Sequence, residues 1–204
     1  MSNAEHRLVV FLKAPRPGLV KTRLAQTIGA EAASAAYRRL VERVLGQLSS
    51  LPSVELRFAP DEARSEILPW LQPGWHAAPQ GRGDLGERLS RAFAEAFAAG
   101  AARVVVIGSD CPEVTAADVQ AAWAALAQHD LVLGPAMDGG YWLMGLRAPE
   151  PRLFAGLQWS TSRVRQETLE RAEAAGLSHV LLRPLHDVDT EADWRRFLAA
   201  NGRC

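Results

Sequence analysis

Cysteine is nearly missing from this chain: Cys111 and Cys204 are the only two in 204 residues. With one of them the final residue, no structural disulfide is expected, and a reducing, cytoplasmic setting fits. No run of about 18 apolar residues occurs, so no membrane-spanning helix and no membrane partner are expected. The opening residues show no charge-then-apolar pattern of the kind that marks a secretory leader. Surplus charge is missing as well. The 23 Lys+Arg residues balance 23 Asp+Glu residues, for a formal net charge of zero. A protein that grips nucleic acid by general electrostatics carries a basic excess, so no nucleic-acid partner is expected. Internal repeats, low-complexity segments and linkers are also absent from the sequence.

What remains is an ordinary globular composition, 48% apolar and 23% charged. The length suits one domain with a sizeable core. Residues 1–7 are read as a tag remnant (Ser2-Asn3-Ala4) and tail, and residues 8–204 as the domain. Short apolar runs alternate with helical stretches. Strands are expected at Leu8 to Leu12, Val54 to Ala59, weakly at His76 to Pro79, and at Val104 to Ile107, Leu131 to Leu133, Tyr141 to Leu146 and Val180 to Leu182. Helical pattern runs from Lys21 to Leu48 with a break at Gly29. A further helix follows Asp61, read as its cap, to Trp70. Others lead to Gly100, follow Thr115, span Ser162 to Ala175, and follow Thr190. Such alternation predicts an α/β fold: a mostly parallel, Rossmann-like sheet with helices on both faces. Ligands of such sheets bind outside the carboxyl ends of the strands, so the residues that follow each strand carry the functional argument.

After the first strand, Lys13, Arg16, Lys21 and Arg23 place four cations within eleven residues, stiffened by Pro15 and Pro17 and turned by Gly18. A helix N-terminus follows, with free N–H groups and a positive dipole end, which suits a di- or triphosphate. The Lys21-Thr22 pair is not a P-loop, because Val20 stands where that pattern needs glycine. The loop from Gln80 to Gly86 matches G-x-G-x-x-G at Gly81, Gly83 and Gly86. The strand before it is poor, however, and Asp84 would repel a pyrophosphate, so a nicotinamide or flavin cofactor is disfavoured. A mobile loop closing over a base or ribose, with Gln80, Asp84, Gly86 and Arg88 at the nucleotide, is the reading adopted.

Asp110 leaves the strongest strand directly, where a carboxylate can hold Mg²⁺ or Mn²⁺ bridged to phosphates. Cys111 beside it is read as a packing residue. Asp138, Gly139 and Gly140 form a tight turn that suits either a hairpin or an acceptor pocket, with Asp138 as hydrogen-bond acceptor or base. Tyr141 and Trp142 belong to the core or to a stacking wall for a sugar, and Trp159-Ser160-Thr161 either adds to that wall or caps a helix. Asp187 and Asp189, at i and i+2 of an extended segment, point the same way and are candidates to complete a metal site with Asp110. His186 is read as structural.

Taken together, Lys-x-Pro-x-Pro-Gly-x-Val-Lys-Thr-Arg, Gly-Asp-Leu-Gly-Glu-Arg, Gly-Ser-Asp-Cys-Pro, Asp-Gly-Gly-Tyr and Asp-Val-Asp-Thr resemble one bacterial family. It is the family of GT-A-type glycosyltransferases associated with arsenosugar biosynthesis, within the nucleotide-diphospho-sugar transferase superfamily. It is similar in outline to molybdenum-cofactor and phospholactate nucleotidylyltransferases. The resemblance spans residues 8 to 198. It implies a GT-A fold, a nucleotide-linked donor and a divalent metal. It gives Lys13, Lys21 and Arg23 to the phosphates, and Asp110 with Asp189 to the metal, Asp187 being a possible third ligand. Two reactions stay open. One is glycosyl transfer from a nucleoside-diphosphate sugar to a small acceptor; the other is nucleotidylyl transfer from a nucleoside triphosphate with release of pyrophosphate. A non-catalytic nucleotide-binding module is disfavoured, since the carboxylates would repel phosphate without a metal. All of these readings require Lys21 and Asp110 to lie at the same end of the sheet.

Overall fold

The computed structural model describes residues 5–201; Ser2 to Ala4 and Cys204 lie outside them. The strands are β1 (His6–Lys13), β2 (Val54–Ala59), β3 (His76–Pro79), β4 (Arg103–Ile107), β5 (Leu131–Pro135), β6 (Tyr141–Leu146) and β7 (His179–Leu181). They form one sheet in the order β3-β2-β1-β4-β6-β5-β7. Every neighbouring pair is parallel except the two that involve β6. The first strand begins at His6, so residues assigned to the tail belong to the sheet. Glu5 already accepts hydrogen bonds from the N–H groups of Ala102 and Arg103.

The sheet is apolar because both of its faces are covered. Along β1, Leu8, Val10 and Leu12 point into one core and Val9 and Phe11 into the other, as the two-residue period of a strand dictates. The first core packs against α2 (Ala30–Gln47) and α5 (Ala116–Ala125). The second packs against α4 (Leu85–Ala98) and α6 (Val164–Ala174). Each fully buried Leu or Val contributes about 1.5–3 kcal/mol of transfer free energy. Short α1 (Thr22–Ile28) and C-terminal α7 (Glu191–Asn201) touch at the edge of the first layer. Gly29, at φ 87°, separates α1 from α2 where the break is expected. β3, which ends in Pro79, sits at the sheet edge, where a proline costs no ladder bond.

Two local expectations need correction. Asp61 caps no helix: α3 (Arg64–Ile67) starts after Ala63, and the Asp61 carboxylate instead accepts from the Gly81 N–H at 3.1 Å. The penultimate helix starts at Val164 rather than Ser162. The chain before it turns through Ser160 at φ 63°, and the Thr161 hydroxyl donates to the Gln158 carbonyl.

Candidate functional site

The strand order reverses between β1 and β4, which is where a doubly wound sheet opens a crevice at its carboxyl edge. The β1–α1 loop lies along it. That loop is pinned from below: Ala14 N–H donates to the Ala59 carbonyl, and the Ser34 hydroxyl to the Pro15 carbonyl. Arg16 does not face the crevice. Its guanidinium is bound to Glu66 and Glu62 and ties the loop to α3, so the cation cluster is smaller by one than the sequence suggests.

Lys21 is the residue that the loop geometry singles out. Its backbone is left-handed (φ 48°, ψ 47°), an uncommon and strained state for a residue with a side chain. Its side chain is 4% exposed and reaches Asp110, with Nζ 2.5 Å from Oδ1. Lys21 and Asp110 are therefore neighbours, as the convergence of the two loops requires. Asp110 itself is half exposed, and its second oxygen has no protein partner among the described residues. Below it, the Ser109 hydroxyl lies 3.0 Å from the Tyr37 hydroxyl, which also accepts from the Lys13 N–H at 2.7 Å. Tyr37, a residue that helix periodicity marks only as core, thus joins the ends of β1 and β4. Burial, with the Asp110 charge adding to it, pushes its phenol up and keeps it neutral.

The tail of the sheet brings two more carboxylates. After β7 the chain runs on beside β5, with Leu182 and Leu185 N–H groups donating to Leu133 and Pro135 carbonyls. It then passes beneath Asp110, whose carbonyl accepts from Val188 N–H at 2.9 Å. Asp187 and Asp189 go to different partners. Asp189 accepts from Arg23 Nη1 at 2.9 Å. Asp187 faces the acidic centre: burial first, then Asp138 and Asp110, push its acid above the ordinary value, against the pull of Lys21. Burial, and after it Asp110 and Asp187, also push up the Cys111 thiol, which agrees with a packing role.

The Gln80–Gly86 loop is braced rather than free. Gln80 is buried, and its amide donates to the Leu12 and Arg57 carbonyls, both at 3.0 Å. Its oxygen accepts from Arg88, which also holds the Gly83 carbonyl. Arg91 grips the carbonyls of Gln80 and Arg82. Asp84 caps α4 in a reciprocal capping box with Glu87. Gly86 is small because the Trp159 indole lies against it; a Cβ there would sit 2.7 Å from Nε1. Gln80, Asp84 and Gly86 therefore shape this wall, and Arg88 is its cationic member.

The turn of residues 136–140 is a hairpin connection between β5 and β6, and it also borders the crevice. Asp138 Oδ1 accepts from Gly140 N–H at 2.8 Å. Gly139, at φ 94°, lies so near the Ser162 carbonyl that a Cβ would stand 2.1 Å from the oxygen. Trp142 is core, its Nε1 donating to the Arg183 carbonyl. Tyr141 and Trp159 line the crevice.

Two compartments result, and Asp110, Asp138, Tyr141, Thr161 and Asp187 are among the residues that line both. The larger, about 950 Å³, is lined by Lys13, Lys21, Arg23 and Arg88, with Gly18 on the loop that carries the first three. The smaller, about 290 Å³, is lined by Asp110, Asp138, Asp187, Tyr141 and Trp159. Among the described residues no three His, Cys, Asp or Glu side chains form a ready-made metal cage. The donors nevertheless suit a hard divalent ion. Mg²⁺ typically takes one or two carboxylates together with substrate phosphates, and the free Asp110 oxygen with Asp187 supplies that much.

This fold and this crevice define an α/β domain of the nucleotide-diphospho-sugar transferase type. A structure from Desulfovibrio desulfuricans G20, classed as a nucleotide-diphospho-sugar transferase, is 36% identical, with a TM-score of 0.91 over 100% of this chain and 89% of that one. The CMP:2-keto-3-deoxy-manno-octonic acid synthetase complexed with CTP shares the fold at 12% identity (TM-score 0.61, 98% and 99% covered). So does the glucosyl-3-phosphoglycerate synthase of Mycobacterium tuberculosis, in complex with Mn²⁺, UDP and glucosyl-3-phosphoglycerate, at 13% identity (TM-score 0.57, 97% and 80% covered). No curated protein matches the sequence. Residues 44–161 match the family described as uncharacterized protein conserved in bacteria (DUF2064), and the chain belongs to that family.

Proposed function

We propose that this chain is a metal-dependent, glycosyltransferase-like enzyme that takes a nucleoside-diphosphate sugar and passes the sugar to a small acceptor. One observation carries the reading: a large compartment lined with cations and a smaller one without them meet at Asp110. Lys13, Lys21, Arg23 and Arg88 bind the diphosphate as charge-assisted donors. Asp110 and Asp187 hold the Mg²⁺ or Mn²⁺ ion, with Asp189 keeping Arg23 in place. When bound, the ion supplies charge stabilisation to the leaving diphosphate. Asp138 accepts the proton of the acceptor hydroxyl through the oxygen that Gly140 leaves free. The Mn²⁺ and UDP in the Mycobacterium tuberculosis enzyme support the ion and the donor class. A cytoplasmic setting and the link to arsenosugar biosynthesis suggested by the motifs are part of the same proposal.

The density of cations also favours a second reading, nucleotidylyl transfer from a nucleoside triphosphate with pyrophosphate leaving. The CTP held by the synthetase of the same fold supports it. A thermal-shift panel of nucleotide sugars and nucleoside triphosphates, with and without Mn²⁺, separates the two. Nucleotide sugars are expected to raise Tm only with the metal, and Asp110→Asn is expected to remove that gain while leaving the fold intact. A triphosphate preference with pyrophosphate release selects the second reading. Unchanged Mn²⁺-dependent affinity in the Asp110→Asn protein rejects the metal assignment.

A further inference from the structure

The charges of the crevice are not shared evenly. All four of its phosphate-facing cations line the larger compartment, and among the described residues no Lys, Arg or His lines the smaller one. The smaller compartment carries three carboxylates, Asp110, Asp138 and Asp187, all of which also border the larger one. Among the described residues, only Asp110 of these is paired with a cation by direct contact. The rest of its wall is uncharged, with aromatic, aliphatic and small side chains that include Trp159, Tyr141 and Thr161. A divalent ion arriving with a diphosphate is matched by the negative charge it brings, so it leaves no surplus to hold a second anion. Carboxylates and aromatic faces together favour a hydroxylated body that is neutral or positively charged.

Resting on the transferase reading above, we propose that the acceptor is a small hydroxyl compound carrying neither phosphate nor carboxylate, and that Asp138 and Asp187 enforce this selection. The acceptor is thus unlike the phosphoglycerate implied by the product bound to the Mycobacterium tuberculosis enzyme of the same fold.

The test uses the full chain saturated with a nucleoside diphosphate and Mn²⁺, whose own binding is followed by thermal shift. Saturation-transfer NMR then ranks glycerol and glucose (neutral), ethanolamine and glucosamine (cationic), and glycerol 3-phosphate and 3-phosphoglycerate (anionic). Neutral or cationic compounds are expected to bind at least tenfold more tightly than the anionic ones. The Thr161→Lys variant, which adds a cation to a wall common to both compartments, is expected to narrow that ratio several-fold, with its nucleotide binding measured in parallel by thermal shift. An anionic compound that binds as well as its neutral counterpart overturns the proposal. So does the failure of every compound to bind while the nucleotide is bound. Failure of the nucleotide itself to bind overturns the transferase reading instead.

Discussion

Lys21 is the residue on which the site turns. A nearly buried ammonium needs a counter-charge, and Asp110 provides it at 2.5 Å. The same contact occupies one oxygen of the carboxylate proposed to hold the metal, so lysine and ion compete for it. Lys21→Met is expected to weaken nucleoside-diphosphate binding by about 1–3 kcal/mol, the worth of a charge-assisted bond. It is also expected to strengthen binding of Mn²⁺ alone, which titration followed by electron paramagnetic resonance measures directly. Loss of both affinities would show that Lys21 supports the site only through folding. Sequence reading finds Lys21 by its place in a cationic loop. The left-handed backbone that directs it inward is invisible there, because αL conformations are set by the contacts that surround a residue.

At the level of elements, the crevice depends on how loops are tied to one another. Gly139 lets the β5–β6 hairpin pass against the Ser162 carbonyl, and Arg165 N–H donates to the Gly139 carbonyl to hold the two together. Gly139→Ala combines a positive φ with a steric overlap against backbone. It is expected to cost at least about 2 kcal/mol, read by urea unfolding, and to disturb acceptor binding more than nucleotide binding. A second tie joins α5 to the segment that carries Asp187. Burial pushes the Asp118 acid up, but Arg183 and Thr115 outweigh it and hold the acid below its ordinary value of 3.8. A lowered folded value means that this contribution is complete above the ordinary value and is lost as pH falls below it. Arg183→Met should therefore destabilise the protein by about 1–3 kcal/mol at pH 7. The difference from the parent should shrink as pH falls below that ordinary value of 3.8, as paired denaturation curves will show.

For the whole molecule, strands and helices were legible because burial on both sheet faces writes itself as apolar runs and capping boxes. Thr115–Asp118 is a local signal of that kind. The candidate loops were legible too, since each follows a strand and is rich in glycine, proline or charge. Their internal arrangement was not. Arg16 left the cluster for Glu62 and Glu66, and the supposedly mobile Gln80 loop proved to be anchored through the Gln80 amide. Asp189 parted from Asp187 to pair with Arg23. Each outcome depends on a partner 23 to 166 positions away in the chain, as with Gln80 and Arg57 or Arg23 and Asp189. Sequence alone determined the α/β layering and the strand ends from which chemistry would come, because periodicity and turn residues act over a few neighbouring positions. Only the tertiary structure decided which charges meet, which are spent on holding loops, and that the cations line one compartment while the carboxylates border both, because charge pairing is decided by distance in space.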